Sequence, residues 1–121
     1  MAFLMVSATT FFEGGYYIGD IKNDKFHGVG SYTSFYGHKY EGEFQRDAFE
    51  GEGSLTTVDG VSFVGTFEKD KRTGKGKLAR ATGEIVFGFW DNDEESRVLS
   101  FKNEEDFSLY AKAEKQAILN I

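Results

Sequence analysis

The only imidazoles in the chain are His27 and His38, and neither sits in an H-x-x-x-H or H-E-x-x-H arrangement. Two metal ligands on one helix face require such spacing. Gly74-Lys75-Gly76-Lys77 has the glycine and lysine of a phosphate-binding loop. It lacks the G-x-x-x-x-G-K-[ST] spacing, and no helix follows to aim backbone N–H groups at a phosphate. Asp91-Asn92-Asp93-Glu94-Glu95 begins like a calcium loop, but Ser96 stands where the loop glycine belongs and Lys102 where the bidentate glutamate belongs. The chain has no cysteine, which removes disulfides, thiolate zinc sites and a thiol nucleophile. No catalytic residue, metal site, cofactor or small-molecule substrate is therefore expected.

Charge is distributed unevenly. The net charge is −6, yet six of the 14 bases lie between residues 69 and 80, against the single acid Asp70. A chain this acidic is a poor match to nucleic acid as a whole, so an anionic partner must be met by a local patch. Lys69, Lys71, Arg72, Lys75, Lys77 and Arg80 form the candidate patch, for anionic lipid headgroups or an acidic protein partner. The competing reading is that these bases pair internally with Glu68, Glu84 and the acids near residues 41–52.

Glycine (15) and phenylalanine (13) dominate a chain of 121 residues without proline, a composition that argues against a disordered linker. The apolar start, MAFLMV, stops at Ser7, far short of a membrane span and with no preceding positive charge. The expectation is one soluble domain in the cytoplasm, free or held at a cytoskeleton, cilium or membrane.

A repeat of constant step organises the chain. Tyr17, Tyr40, Phe63 and Val86 share one column, followed two places later by Gly19, Gly42, Gly65 and Gly88. Ile21, Phe44, Phe67 and Trp90 come next, then Asp24, Asp47, Asp70 and Asp93. Gly-x-Gly recurs at 28–30, 51–53 and 74–76, and Gly14, Gly37, Gly60 and Gly83 close the units.

Each unit reads as a β-hairpin. Tyr40, Gly42 and Phe44 alternate with Glu41 and Glu43, the period of a strand. Asn23-Asp24, Arg46-Asp47 and Lys69-Asp70 supply the first turn, and Tyr36-Gly37, Asp59-Gly60 and Thr82-Gly83 the second. The fold class is all-β: a single-layer antiparallel meander of stacked hairpins, a short curved solenoid. A lone sheet must curl so that rings lie over neighbouring backbone, and alternate glycines leave that space. Tyr17, Tyr40, Phe44, Phe63, Phe67 and Trp90 are the core, and a one-layer sheet is expected to leave part of their ring area lining a groove for a peptide.

The solenoid is expected over residues 1–101. It comprises a half unit at 7–13, full units at 17–37, 40–60 and 63–83, and a partial unit at 86–95. Residues 102–121 form an amphipathic helix, with Asn103 and Asp106 placed as a capping box. Its apolar stripe includes Phe107, Tyr110, Ala117 and Ile118. It either caps the last hairpin or docks a partner. The N-terminal half unit, carrying Phe11 and Phe12 after Phe3-Leu4-Met5-Val6, is an edge expected to join another chain.

These columns resemble the membrane occupation and recognition nexus (MORN) repeat, whose unit looks like YEGEW-xx-G-xx-HG-x-G with a closing DG. Phe26-His27-Gly28-Val29-Gly30 is the nearest copy of the HG-x-G element. The family's turn glycine is Asp in all four units here, and its Trp is Ile21, Phe44 or Phe67. The resemblance implies an elongated, non-catalytic platform for protein interaction, scaffolding at membranes or cytoskeleton, and oligomer formation. Phospholipid association is implied for some members. Protein partners, either further copies or a larger complex, are the leading expectation, and anionic lipid is the alternative.

Overall fold

The computed structural model describes residues 9–99 and 104–119; the side chains of 95–99, 104, 111, 114, 115 and 117–119 lie outside that description. Nine antiparallel strands follow one another in chain order in a single sheet. They are β1 (Thr9–Phe12), β2 (Gly15–Lys22), β3 (Lys25–Ser34), β4 (Lys39–Gln45), β5 (Ala48–Thr56), β6 (Ser62–Glu68), β7 (Lys71–Ala79), β8 (Ile85–Asp91) and β9 (Glu94–Leu99). Helix α1 (Glu104–Leu119) follows. The expected capping residue Asn103 lies outside the described residues.

Backbone conformation at the turn columns makes the hairpins. Asn23-Asp24, Arg46-Asp47, Lys69-Asp70 and Asn92-Asp93 all have φ between 50° and 73°. Two successive left-handed residues make the two-residue turn whose twist matches that of paired strands. The second connection is longer than its X-Gly pair suggests. Ser34 donates its N–H to His38 O, Thr57 to Val61 O and Arg80 to Glu84 O, each at 2.8 Å, enclosing three residues. The last of the three is the glycine, at φ 99°, 84° and 95°. The first connection departs from this. Phe12 pairs with Gly15 around Glu13-Gly14, a two-residue turn.

The fourth unit also runs further than its glycine pattern. No Gly-x-Gly follows Asp93, yet β9 pairs with β8 as far as Phe87↔Leu99, so the hairpin is complete.

Glycine pairs face each other across strands: Gly19↔Gly30, Gly42↔Gly53, Gly65↔Gly76. An aromatic ring covers each pair. A Cβ built on Gly30 would lie 2.5 Å from the Tyr17 ring, and one on Gly65 2.8 Å from the Phe63 ring. The ring over glycine is the packing unit of this one-layer protein.

Candidate interaction surfaces

On the aromatic face the rings stack in sequence. Phe26 lies parallel to Tyr17 at 3.9 Å and Phe49 to Tyr40 at 3.8 Å. Phe44 meets Tyr17 and Tyr40 edge-on at 5.1 and 5.0 Å, and Phe67 meets Tyr40 and Phe63 at 5.1 and 5.4 Å. Trp90 closes the series against Phe63 at 4.8 Å. All six candidate groove residues (Tyr17, Tyr40, Phe44, Phe63, Phe67 and Trp90) are at most 3 % exposed. The expected groove of exposed ring area is therefore absent at these positions. Tyr17, Tyr40 and Phe63 each lie over a glycine pair, and Phe44, Phe67 and Trp90 pack edge-on against them, so a curled single layer closes its own core. Ile21, which shares the column of Phe44, is instead half exposed.

The tyrosine hydroxyls are satisfied within that core. Tyr17 donates to Asp20 O at 2.7 Å and Tyr40 to Glu43 O at 2.8 Å. Burial raises both phenol pKa values, Tyr40's far beyond the ordinary tyrosine range, with the nearby carboxylate of Glu43 adding to the effect. The Trp90 indole N–H has no hydrogen-bond partner among the described residues.

The bases of residues 69–80 do not form one patch. Arg72 occupies the column of Phe26 and Phe49 and takes their place on the aromatic face, its guanidinium 5.6 Å from the centre of the Phe63 ring. It also bonds Asp93, Nε to Oδ1 at 3.1 Å and Nη2 to the backbone oxygen at 2.8 Å. Arg80 lies in the opposite set of loops and pairs with Glu84 at 3.5 Å. Those two are committed internally. Strand alternation and register put Lys71, Lys75 and Lys77 on the face away from the core, with Lys69 in the adjoining turn. None of these four lysines forms an ion pair among the described residues.

The acids of the second repeat share that outer face but are engaged by backbone and hydroxyl groups. Glu43 accepts the Glu52 N–H at 2.6 Å, Glu50 accepts the Lys69 N–H at 2.7 Å, and Glu52 accepts the Thr66 hydroxyl at 2.8 Å. Glu41 pairs with Lys39 at 3.0 Å. The expected pairing of Lys75 and Lys77 with these acids does not occur.

Helix α1 also packs on the outer face. Phe107 is buried, 5.5 Å from the Phe87 ring and 5.6 Å from the Phe89 ring. Phe87 and Phe89 alternate with Val86, Gly88 and Trp90, so the helix covers the side of β8 opposite the core. Of the candidate docking residues, Phe107 thus serves as an anchor, Tyr110 is exposed, and the side chain of Ile118 lies outside the description.

The N-terminal edge splits its two aromatics. Phe12 faces the core, stacked on Tyr32 at 5.4 Å, whereas Phe11 faces outward and is 73 % exposed. Strand β1 pairs with β2 alone among the described residues; residues 3–8 of the expected edge lie outside the described residues. Sequence reasoning missed a further apolar ridge on the longer loops, formed by Phe35, Tyr36 and Val58, all at least 60 % exposed. Its signal was an apolar residue shortly ahead of the closing glycine. His38 belongs to this ridge, its Nδ1 accepting the Val58 N–H at 3.1 Å. Among the described residues no cluster of His, Asp and Glu has metal-binding geometry, and no helix is long and apolar enough to cross a membrane.

A hairpin sheet with ring-over-glycine packing and a fixed repeat length defines a class of solenoid, and the sequence agrees with it. The MORN repeat family model matches residues 17–35, 40–62 and 63–85, more than half of the chain. The chain belongs to the MORN repeat family. Its repeats are generally protein- or membrane-interaction modules and typically carry no catalysis. No curated protein matches the chain.

Proposed function

We propose that this protein is a non-catalytic scaffold or assembly subunit that holds protein partners through its N-terminal sheet edge and its outer surfaces. One observation carries the reading: β1 lies at the edge of the sheet with no neighbour on its outer side among the described residues, and Phe11 within it is exposed. An edge strand of this kind offers unpaired N–H and C=O groups to another strand. The buried aromatics leave the partner-binding role to the edge, the loop ridge and the exposed side of α1. Sedimentation of the intact protein, alone and after deletion of residues 1–8, is the test. Self-association or partner capture that the deletion abolishes supports the proposal. A chain that stays monomeric at high concentration, with partner capture indifferent to the deletion, sinks it.

A second reading is peripheral binding to anionic lipid through the bases of residues 69–80. The four lysines without an ion pair among the described residues favour it, and the commitment of Arg72 and Arg80 reduces the charge available. Flotation with vesicles containing phosphatidylserine decides it. Salt-sensitive flotation lost on charge reversal of Lys69, Lys71, Lys75 and Lys77 supports the reading, and no flotation at low salt ends it.

A further inference from the structure

The hairpins share an irregularity that the third one leaves unfilled. In the first two units the paired register breaks just past the glycine pair, between Gly19 and Ile21 and between Gly42 and Phe44. The extra residues on the partner strand include a left-handed glycine, Gly28 (φ 67°) and Gly51 (φ 91°). A carboxylate from the same hairpin occupies each break. Asp20 Oδ2 lies 3.0 Å from where a Cβ of Gly28 would stand, and the Glu43 carboxylate lies against Gly51 while accepting the Glu52 N–H. A left-handed residue followed by a free N–H is a small anion cradle, and in the second unit the chain supplies its own anion, the Glu43 carboxylate taking the Glu52 N–H beside Gly51.

The third unit has the cradle and no carboxylate. Register breaks between Gly65 and Thr66, and Gly74 is left-handed at φ 68°. Thr66 stands one repeat after Glu43, in the same column, and donates its hydroxyl away to Glu52. Nothing lies within 4 Å of a Cβ position on Gly74. Lys75, which is to this unit what Glu52 is to the second, follows the open glycine, and Lys77 stands two residues on, its Nζ 5.9 Å from the centre of the Phe87 ring. A cavity of about 270 Å³ opens beside this break, over Gly65, Thr66, Lys75 and Gly76, with Val64, Phe87 and Phe107 as apolar lining next to the two lysines.

We propose that this cradle binds a carboxylate side chain of an acidic, partly apolar peptide segment on a partner protein. The carboxylate would stand where Glu43 stands in the unit before, with Lys75 and Lys77 beside it and an adjoining apolar residue against Phe87 and Phe107. The cavity holds one or two side chains, below the size usual for drug-sized ligands. Glu52 on the rim accepts the Thr66 hydroxyl and keeps its charge, and the two lysines outweigh it, so the opening is cationic by one unit. An apolar wall beside a paired charge suits a peptide, whereas a lipid headgroup calls for charge on an exposed surface. The inference rests on the reading of the chain as a partner-binding platform, but its test does not involve the sheet edge.

The probe is a blocked five-residue peptide, acetyl-Ala-Leu-Glu-Phe-Ala-amide, whose single charge is the glutamate, titrated against the isotope-labelled full chain. The Lys75 backbone amide is expected to shift saturably with this peptide and not with its glutamine counterpart. Thr66→Glu restores the internal carboxylate. It should move the same amide without peptide and weaken peptide binding about tenfold or more. Thr66→Ser, which keeps the hydroxyl bonded to Glu52 and adds no carboxylate, should retain binding, and dispersed amide spectra establish that both variants fold. Equal response to the glutamine peptide, unchanged affinity in Thr66→Glu, or no response at millimolar peptide each overturns the proposal. So does flotation on phosphatidylserine vesicles, lost in Lys75→Gln/Lys77→Gln, from a chain that ignores the peptide. Loss of self-association on deleting residues 1–8 bears on the edge alone, so the two readings fail separately.

Discussion

Asp70 and Phe49 are joined by two hydrogen bonds across neighbouring hairpins: the Phe49 N–H donates to Asp70 Oδ1 at 2.8 Å, and the Asp70 N–H donates to Phe49 O at 3.0 Å. The same pair recurs one repeat to either side, as Asp47 with Phe26 and Asp93 with Arg72. Asp here has two tasks. It accepts a left-handed turn conformation, and it staples its turn to the preceding unit. Glycine performs the first task better and keeps only the backbone half of the second.

Substitutions at Asp70 should separate those tasks. Asp70→Asn keeps an acceptor and tolerates φ 72°, so stability should change by less than about 0.5 kcal/mol. Asp70→Gly loses the side-chain bond and should cost about 1 kcal/mol. Asp70→Ala adds left-handed strain and should cost about 2 kcal/mol or more. Urea unfolding measures all three, and Ala no worse than Gly would remove the conformational part of the account.

Gly42 and Gly65 test the ring-over-glycine packing. A Cβ on Gly42 would lie 2.5 Å from Gly53 Cα, an atom of the neighbouring backbone, and one on Gly65 would press on the Phe63 ring. Val at either position should destabilise by about 2 kcal/mol or more, at the upper end of overpacking costs. A loss below about 1 kcal/mol in denaturant melts would show that the sheet flattens freely and that the rings are not packed this way.

Alkaline pH should weaken the fold through Tyr17 and Tyr40. Their folded pKa values are raised by burial, so the folded state keeps its phenol protons where the unfolded chain has released them. The sign follows from linkage: stability from this source is complete below the ordinary tyrosine pKa of about 10 and is lost as pH rises above it. Tyr40→Phe should lose about 1 kcal/mol at neutral pH with its hydroxyl bond, and show a shallower decline above pH ~10. An identical alkaline slope in the variant would contradict the assignment.

Phe107 should control the helix. A free helix of 16 residues is marginal in water, and among the described side chains of this one Phe107 is the buried ring, packed against Phe87 and Phe89. Phe107→Ala is expected to cost about 3 kcal/mol and to abolish the helical circular-dichroism signal while the sheet signal persists. A helical signal that survives would mean that other residues anchor α1.

Much of the architecture was legible because its causes are local and repeat. Period-two alternation, left-handed pairs ending in Asp, and glycines returning at a fixed step specify hairpins and their order without long-range information. The same columns identified Tyr17, Tyr40, Phe44, Phe63, Phe67 and Trp90 as core. What periodicity could not determine was how closely a single layer can cover its own rings. That depends on sheet curl and ring-to-ring geometry, which led to a groove being expected where the structure shows burial.

The sequence by itself determined a MORN meander, the positions of its turns and the concentration of positive charge at residues 69–80. Tertiary structure alone decided which charges are available. Arg72 and Asp93 are 21 residues apart, and register brings them into contact; Glu52 and Thr66 meet across β5 and β6 for the same reason. It also set the helix on the outer face, since the stripe of α1 shows an apolar side but not which surface receives it. Phe87 and Phe89 supply that surface, because the Phe89 column is apolar in the fourth unit where Asp20, Glu43 and Thr66 stand in the other three.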